Sequence, residues 1–215
     1  MIIKWLGHSC FLVTSAAGVR VVTDPYSTGS GINYSPVAEA ADVVVISHEH
    51  HDHNAASAVQ GEPEIVRGVG TRSVRGIEFK GIATHHDKSG GRERGNNTVF
   101  RFTMDGVKLC HLGDLGHPLT RAQCAEIGEV DVLFVPVGGF FTIDADDARR
   151  VCDQLRPKVT IPMHFRTPKC DYSIGVVGDF VVGKQNVRET GSSEIEISLE
   201  DLPTGADIVL LEPSR

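Results

Sequence analysis

The segment Ser47-His48-Glu49-His50-His51-Asp52-His53-Asn54 places four imidazoles and two carboxylates within eight residues. Its His-x-His-x-Asp-His spacing has a physical reading. In an extended chain, residues two apart project to the same side, so His48 and His50 can reach one ion. If the chain then turns into a helix, Asp52 and His53 can face the same cavity from the other side and reach a second. Neutral imidazoles suit zinc and similar borderline metals, and an added carboxylate suits hard or mixed sites. A structural zinc site is usually closed by four ligands and often rich in cysteine. No cysteine lies near this segment, so it reads as catalytic.

Two ions need further donors, and the sequence offers them beyond other expected strands. Asp114 follows Val107–Cys110, His164 follows the segment at Val159, and the doublet His85-His86 follows the segment beginning at Ile77. A single polar residue at a strand end often does no more than satisfy backbone groups. Recurrence after several strands of one small chain is better explained by convergence on one site.

The elements that must position these residues are legible from apolar patterning. Short strands are expected at Ile2–Trp5, Cys10–Thr14 and Val19–Thr23, stopped by Asp24-Pro25. A loop rich in Gly, Ser, Asn and Pro covers Tyr26–Pro36. Asp42–Ile46 ends in a continuous apolar run, which marks a strand buried on both faces. A short helix is expected at Asn54–Gln60, followed by strands at Glu64–Arg67, Ile77–Thr84, Thr98–Thr103 and Val107–His111. Leu119–Ile127 reads as a helix with Thr120 as its N-cap, and Asp144–Leu155 as a second helix with an acidic first turn and Pro157 just beyond. Val132–Pro136, Val159–Pro162, Glu194–Leu199 and Ile208–Leu211 complete the strands. No Pro/Ser linker divides residues 1–215, which are read as one domain.

Composition narrows the function classes. A hydrophobic content of 40% with 23% charged residues is that of an ordinary globular protein, and 215 residues suffice to bury roughly 70% of the unfolded surface. No apolar run approaches the roughly 20 residues that span a bilayer. A net charge of −7 argues against nucleic acid as a partner, which calls for a basic face. Five well-separated cysteines and no visible secretory leader point to reduced thiols and a cytoplasmic location. Homo-oligomerisation is left open.

A wider set of motifs carries a resemblance. Gly7-His8-Ser9, Thr23-Asp24-Pro25, the His-x-His-x-Asp-His segment, His86-Asp87 with Gly90-Gly91, Arg94-Gly95-Asn96-Asn97-Thr98, His111-Leu112-Gly113-Asp114-Leu115-Gly116-His117, Pro136-Val137-Gly138-Gly139 and Ile161-Pro162-Met163-His164 occur in this order. Together they resemble the small prokaryotic metal-dependent hydrolase branch of the metallo-β-lactamase superfamily, which includes the L-ascorbate-6-phosphate lactonases. The likeness runs over roughly residues 5–166, and the stretch 167–192 has no counterpart in it. It implies an α+β fold, an αββα four-layer sandwich with a dinuclear site at the rim between two mixed sheets. It also implies that His48, His50 and His86 hold the first ion, that Asp52, His53 and His164 hold the second, and that Asp114 bridges them. His86 is preferred because the pattern sets its ligand directly before Asp, with His85 the alternative. Asp24 matches an early Asp that supports the site without ligating.

The function expected from this is hydrolysis of a small anionic ester or lactone by a hydroxide held between two divalent ions, zinc favoured and Mn, Fe or Ni also accepted by such donors. Asp52 would orient that nucleophile, and His117 or His8 would protonate the leaving group or hydrogen-bond a ligand instead. His51 is expected to point away from the ions and His111 to pack behind Asp114. Between Arg67 and Arg94 stand seven basic residues against three acidic ones. Arg94 and Arg166, each beside a site motif, are the candidate binders of an anionic substrate. The alternative is a phosphodiesterase or nuclease, since the same dinuclear geometry suits phosphoryl chemistry.

Overall fold

The computed structural model describes residues 1–215. The N-terminal half builds a six-stranded sheet from β1 (Ile2–Gly7), β2 (Cys10–Thr14), β3 (Arg20–Thr23), β4 (Val43–Ile46), β5 (Glu64–Arg67) and the distant β13 (Glu194–Glu196). Its order is β13-β1-β2-β3-β4-β5, antiparallel from β13 to β3 and parallel from β3 to β5. Eight strands form the second sheet: β6 (Gly70–Val74), β7 (Ile77–His85), β8 (Asn96–Met104), β9 (Val107–His111), β10 (Val132–Pro136), β11 (Val159–Met163), β12 (Val187–Glu189) and β14 (Asp207–Leu210). They run in the order β12-β14-β11-β10-β9-β8-β7-β6. The two mixed sheets and a few helices are the architecture the motifs implied.

Side-chain alternation decides how the sheets stack. In β4, Val43 and Val45 enter the large core between the sheets, while Val44 and Ile46 enter a smaller cluster on the outer face. β2 and β3 divide their residues in the same way, Phe11, Val13 and Val21 inward and Cys10 and Val22 outward. A strand apolar on both faces must be covered on both, at roughly 1.5–3 kcal/mol per buried aliphatic side chain. Over the six-stranded sheet the outer cover is a loop: Tyr26, Ile32, Tyr34, Val37 and Ala41 pack there with Val59, Cys170 and Ile174. The helix expected at Asn54–Gln60 shrinks to one 3-10 turn, Ala56–Ala58, with no side-chain cap. Its run of small residues contributes only partly buried Ala56 and Ala58 to this cluster, too little to fix a full amphipathic helix.

Over the eight-stranded sheet the cover is helical. α1 (Arg121–Ile127) begins at the expected Thr120, whose hydroxyl accepts from Gln123 N–H while the Gln123 side chain accepts from Thr120 N–H. α2 (Ala145–Leu155) is capped by Asp144 and buries Ala148, Val151 and Leu155. The patterning did not reveal β6, β12 or a third short helix, α3 (Val177–Val181), and it overextended β13 by three residues. β6 is an edge strand with four of five residues exposed, and β12 is three residues long without a buried one, so neither carries the alternation that marks a strand. No helix is long and apolar enough to cross a membrane.

Candidate metal centre

Six elements end at one rim. Asp24 follows β3 directly, His48 lies two residues past β4, His86 one past β7, Asp114 three past β9 and His164 one past β11. His8 sits in the two-residue turn that joins β1 to β2. Parallel strands leave the sheet at one edge, so their carboxyl-terminal loops gather there.

Asp114 stands at the centre. Its Oδ2 lies 3.1 Å from His86 Nε2, 3.3 Å from His164 Nε2 and 3.9 Å from His48 Nε2, and its Oδ1 lies 3.2 Å from His53 Nε2. Three sets of donor atoms, each within 4.8 Å of one another, can hold an ion: His48, His50 and His86; His8, Asp52, His53 and His164; and His48, His53 and Asp114. The structure therefore brings together all seven residues expected to ligate, and Asp114 lies between the two groups. His86 faces the cluster, whereas the His85 ring turns the other way onto the Asn96 side chain, as alternation along a strand requires.

Buried polar atoms test whether metal fits. His53 Nε2 and Asp114 Oδ1, both inside the cluster, are removed from water without a hydrogen bond. Buried polar atoms are otherwise almost always partnered, and converging imidazole nitrogens around a carboxylate are the donor set of a divalent ion. Burial, with the neighbouring His53, pushes the His48 imidazole down to about 3, which leaves it neutral and free to ligate. For His53, burial opposes protonation, but Asp114 and Asp24 on its two nitrogens outweigh it and push the ring upward. Asp114 would be raised by its complete burial, yet His164 and His53 hold it well below the usual carboxylate range.

A supporting layer fixes these groups. Ser47 N–H and Oγ–H donate to Asp24 Oδ1 and Oδ2 at 2.7 and 2.6 Å, and Asp24 Oδ2 holds His53 Nδ1 at 2.9 Å. Asp24 is thus the carboxylate that sets the orientation of the His53 ring, as the early Asp of the motif set was expected to do. Asn97 Oδ1 accepts from Asp114 N–H while its amide donates to Leu112 O and Thr84 Oγ1. His111 packs behind, its Nδ1 accepting from Gly113 N–H and its Nε2 therefore donating to Ser9 O. For Asp24→Asn, which tolerates the positive φ of this position, we expect zinc affinity to fall about 10–100-fold. Titration of the apo-protein with zinc against a competing chelator checks this; unchanged affinity would remove Asp24 from the site.

The remaining expected residues divide. Asp52 lines a cavity of about 320 Å³ together with His50, His51, His86, Asp114, His164, Arg94, Ser30, Phe141 and Tyr172. His51 is exposed at its mouth. Arg94 reaches both this cavity and an adjoining one of about 430 Å³, with its guanidinium 4.6 Å from the Phe141 ring centre. The other expected anion binder, Arg166, is exposed and lines neither. His117 is also elsewhere: its Nε2 accepts from His85 N–H and its Nδ1 donates to Pro118 O, so it braces the backbone behind His86. The basic run disperses as well. Arg75 pairs with Glu64 and Lys88 with Asp147; Arg67, paired with Glu49, lines only the larger cavity, and Arg94 is the one cation shared by both.

Two contributors escaped sequence reasoning. Asp87 accepts from the backbone N–H groups of Ser89, Gly91, Glu93 and Arg94 and so shapes the loop that carries Arg94. The motif His86-Asp87 with Gly90-Gly91 was its signal. Tyr172, from the stretch without a counterpart, places its hydroxyl 3.4 Å from Asp52 Oδ2 and its ring edge-on to Phe141; nothing in its local sequence announced it.

Residues 2–164 match the family model of the β-lactamase superfamily domain. The chain is 31% identical to a UPF0173 metal-dependent hydrolase of Carboxydothermus hydrogenoformans, over 78% of this chain and 85% of that protein, and 29% identical to one of Thermoplasma acidophilum, over 77% and 83%. Among solved structures, a Thermotoga maritima protein assigned to the Zn-dependent hydrolases of the metallo-β-lactamase superfamily superposes with a TM-score of 0.83 at 38% identity, covering 98% of both chains. The short form of human tRNase Z superposes at 0.57 with 12% identity, over 77% of this chain and 93% of that one, a likeness of fold alone.

Proposed function

The chain belongs to the metallo-β-lactamase superfamily and within it to the UPF0173 metal-dependent hydrolases, and we propose that it hydrolyses a small anionic ester or lactone at a site for two divalent ions, zinc favoured. The observation that carries this reading is the central, buried Asp114 with imidazoles of two donor sets around it. His48, His50 and His86 would hold one ion, Asp52, His53 and His164 the other, and Asp114 both. Such ions supply a water of lowered pKa and polarise the substrate's carbonyl or phosphoryl oxygen.

The chain's own groups then have separable tasks. Burial would raise the Asp52 carboxyl, but His8 and His53 keep it ionised, so its oxygen at the cavity wall can accept a hydrogen from the attacking water and set its direction. Burial and the adjacent Asp52 push the Tyr172 hydroxyl upward, so it stays protonated and able to donate to the leaving oxygen. His117 is tied at both nitrogens away from the cavity, which removes it from this role. Arg94, held over Phe141, presents a fixed guanidinium to an anionic group.

Cavity size and charge support a small substrate over a nucleic acid: the cavity is about 320 Å³ and the chain carries −7. The test is proton release by the zinc-loaded protein on a panel of lactones, including sugar-phosphate lactones, and phosphodiesters. We expect turnover of lactones; turnover confined to phosphodiesters would replace this reading with phosphoryl transfer. Arg94→Gln should raise KM for an anionic lactone about 10–100-fold, the value of one charge-assisted hydrogen bond, and leave an uncharged analogue unaffected. Equal effects on both substrates would show that Arg94 does not read charge.

A further inference from the structure

His8 is the one histidine with both ring nitrogens fully buried and neither hydrogen-bonded. A neutral imidazole carries one N–H donor and one acceptor, and burying both unmet is costly unless a group other than a protein atom takes one. The ring lies against the second donor set: its Nε2 is 3.3 Å from Asp52 Oδ2, and its centre is 4.2 Å from that of His164 and 5.2 Å from that of His53. The donor atoms of His8, Asp52, His53 and His164 all fall within 4.8 Å of one another. Two donors about 2.1 Å from a tetrahedral ion stand about 3.4 Å apart, close to the His8–Asp52 separation.

The backbone is arranged to hold the ring there. His8 opens the two-residue turn closed by the Gly7–Cys10 pair, at φ +51°, a conformation that such turns normally give to Gly, Asn or Asp. Trp5 Nε1 donates to its carbonyl at 3.0 Å and His164 N–H at 3.3 Å. Gly7, at φ +129°, cannot be replaced without its β-carbon meeting the Tyr34 ring at 2.6 Å. Strain at a non-glycine residue persists only where its surroundings over-determine it, and it gathers at functional sites. The same sign of φ recurs at Asp24 and His164.

We infer that His8 is a ligand of the second ion, which then draws on His8, Asp52, His53 and His164, against His48, His50 and His86 for the first. This rests on the two-ion reading above and assigns His8 a different task from proton donation to a leaving group, for which its complete burial outside the cavity walls is unsuited. Beside the shared Asp114, the second ion then has four buried donors of its own, while the first has three and keeps the exposed His50. Zinc is therefore expected to fill the second position first. The competing role is a hydrogen bond from His8 to Asp52 that only positions the carboxylate.

The experiment compares the wild type with His8→Ala and His8→Gln, since glutamine keeps an N–H donor toward Asp52 but removes the imidazole. Zinc content after exhaustive dialysis is expected to be two equivalents in the wild type and one in both variants. In the protein held in excess Co²⁺ without dialysis, proton NMR should show strongly shifted exchangeable N–H signals from six imidazoles in the wild type and at most five in His8→Gln. Two retained equivalents and an unchanged signal count in His8→Gln would overturn the inference and leave His8 as a positioning donor. Should His8→Ala fail to fold, the glutamine variant and the wild-type count still decide. A wild type that binds no zinc would instead overturn the two-ion reading itself.

Discussion

Replacing Asp114 by asparagine is expected to lower hydrolysis by at least about 10³-fold while the far-ultraviolet circular dichroism stays that of the folded protein. Asp114 is the one carboxylate within 3.3 Å of His53, His86 and His164 together, so it alone supplies negative charge to both donor groups. Asparagine keeps its volume and its backbone bond to Asn97 but removes that charge. Stabilisation of developing charge by bound ions is worth several kcal/mol, and a loss of about 4 kcal/mol corresponds to about 10³ in rate. Steady-state turnover on the best substrate of the panel, with zinc content measured on the same sample, checks the expectation. Near-full turnover in Asp114→Asn would remove Asp114 from the catalytic centre.

The second large effect is on stability. Gly113 precedes Asp114 at φ +55°, and a β-carbon there would lie 2.5 Å from both Asn97 Oδ1 and Ser47 Cβ. Neither neighbour is free to move, because Asn97 holds Asp114, Leu112 and Thr84 and Ser47 holds Asp24. The left-handed backbone costs an L-residue about 1–2 kcal/mol, and overpacking adds about 1–3 kcal/mol. Gly113→Ala should therefore lose about 2–5 kcal/mol, which for a chain of this size lowers Tm by about 5–15 °C. Thermal unfolding of the apo-protein, where metal binding cannot mask the change, is the measurement. A Tm within 2 °C of the wild type would show that the 111–114 loop is not a rigid support for Asp114.

Both effects have roots in local sequence and in its limits. The His-x-His-x-Asp-His spacing, the apolar run that ends before it, and the polar residues after β7, β9 and β11 were legible because each is a short-range pattern. A strand buried on both faces must be continuously apolar, and the donors must follow where it leaves the sheet. Thr120 and Asp144 announced their helices for a similar reason, since a cap acts within four residues. The helix expected after Asn54 was misjudged because composition there permits a helix that the flanking chain does not sustain.

What tertiary structure alone decided concerns residues far apart in the chain. Alternation says that His85 and His86 point to opposite sides, but which side meets Asp114 depends on the pairing of β7 with β8 and of β9 with β10. Arg166 and Arg94 stand equally close to site motifs, yet only the loop organised by Asp87 brings a guanidinium to the cavity. The contact of Tyr172 with Asp52 spans 120 residues, and His8 meets His164 only because the β1–β2 turn closes against the end of β11. Chemistry-bearing residue types and their local spacing were thus fixed in one dimension, where periodicity and turn preferences act. Which of them share a site was fixed by strand register and loop closure, which depend on contacts that no local pattern encodes.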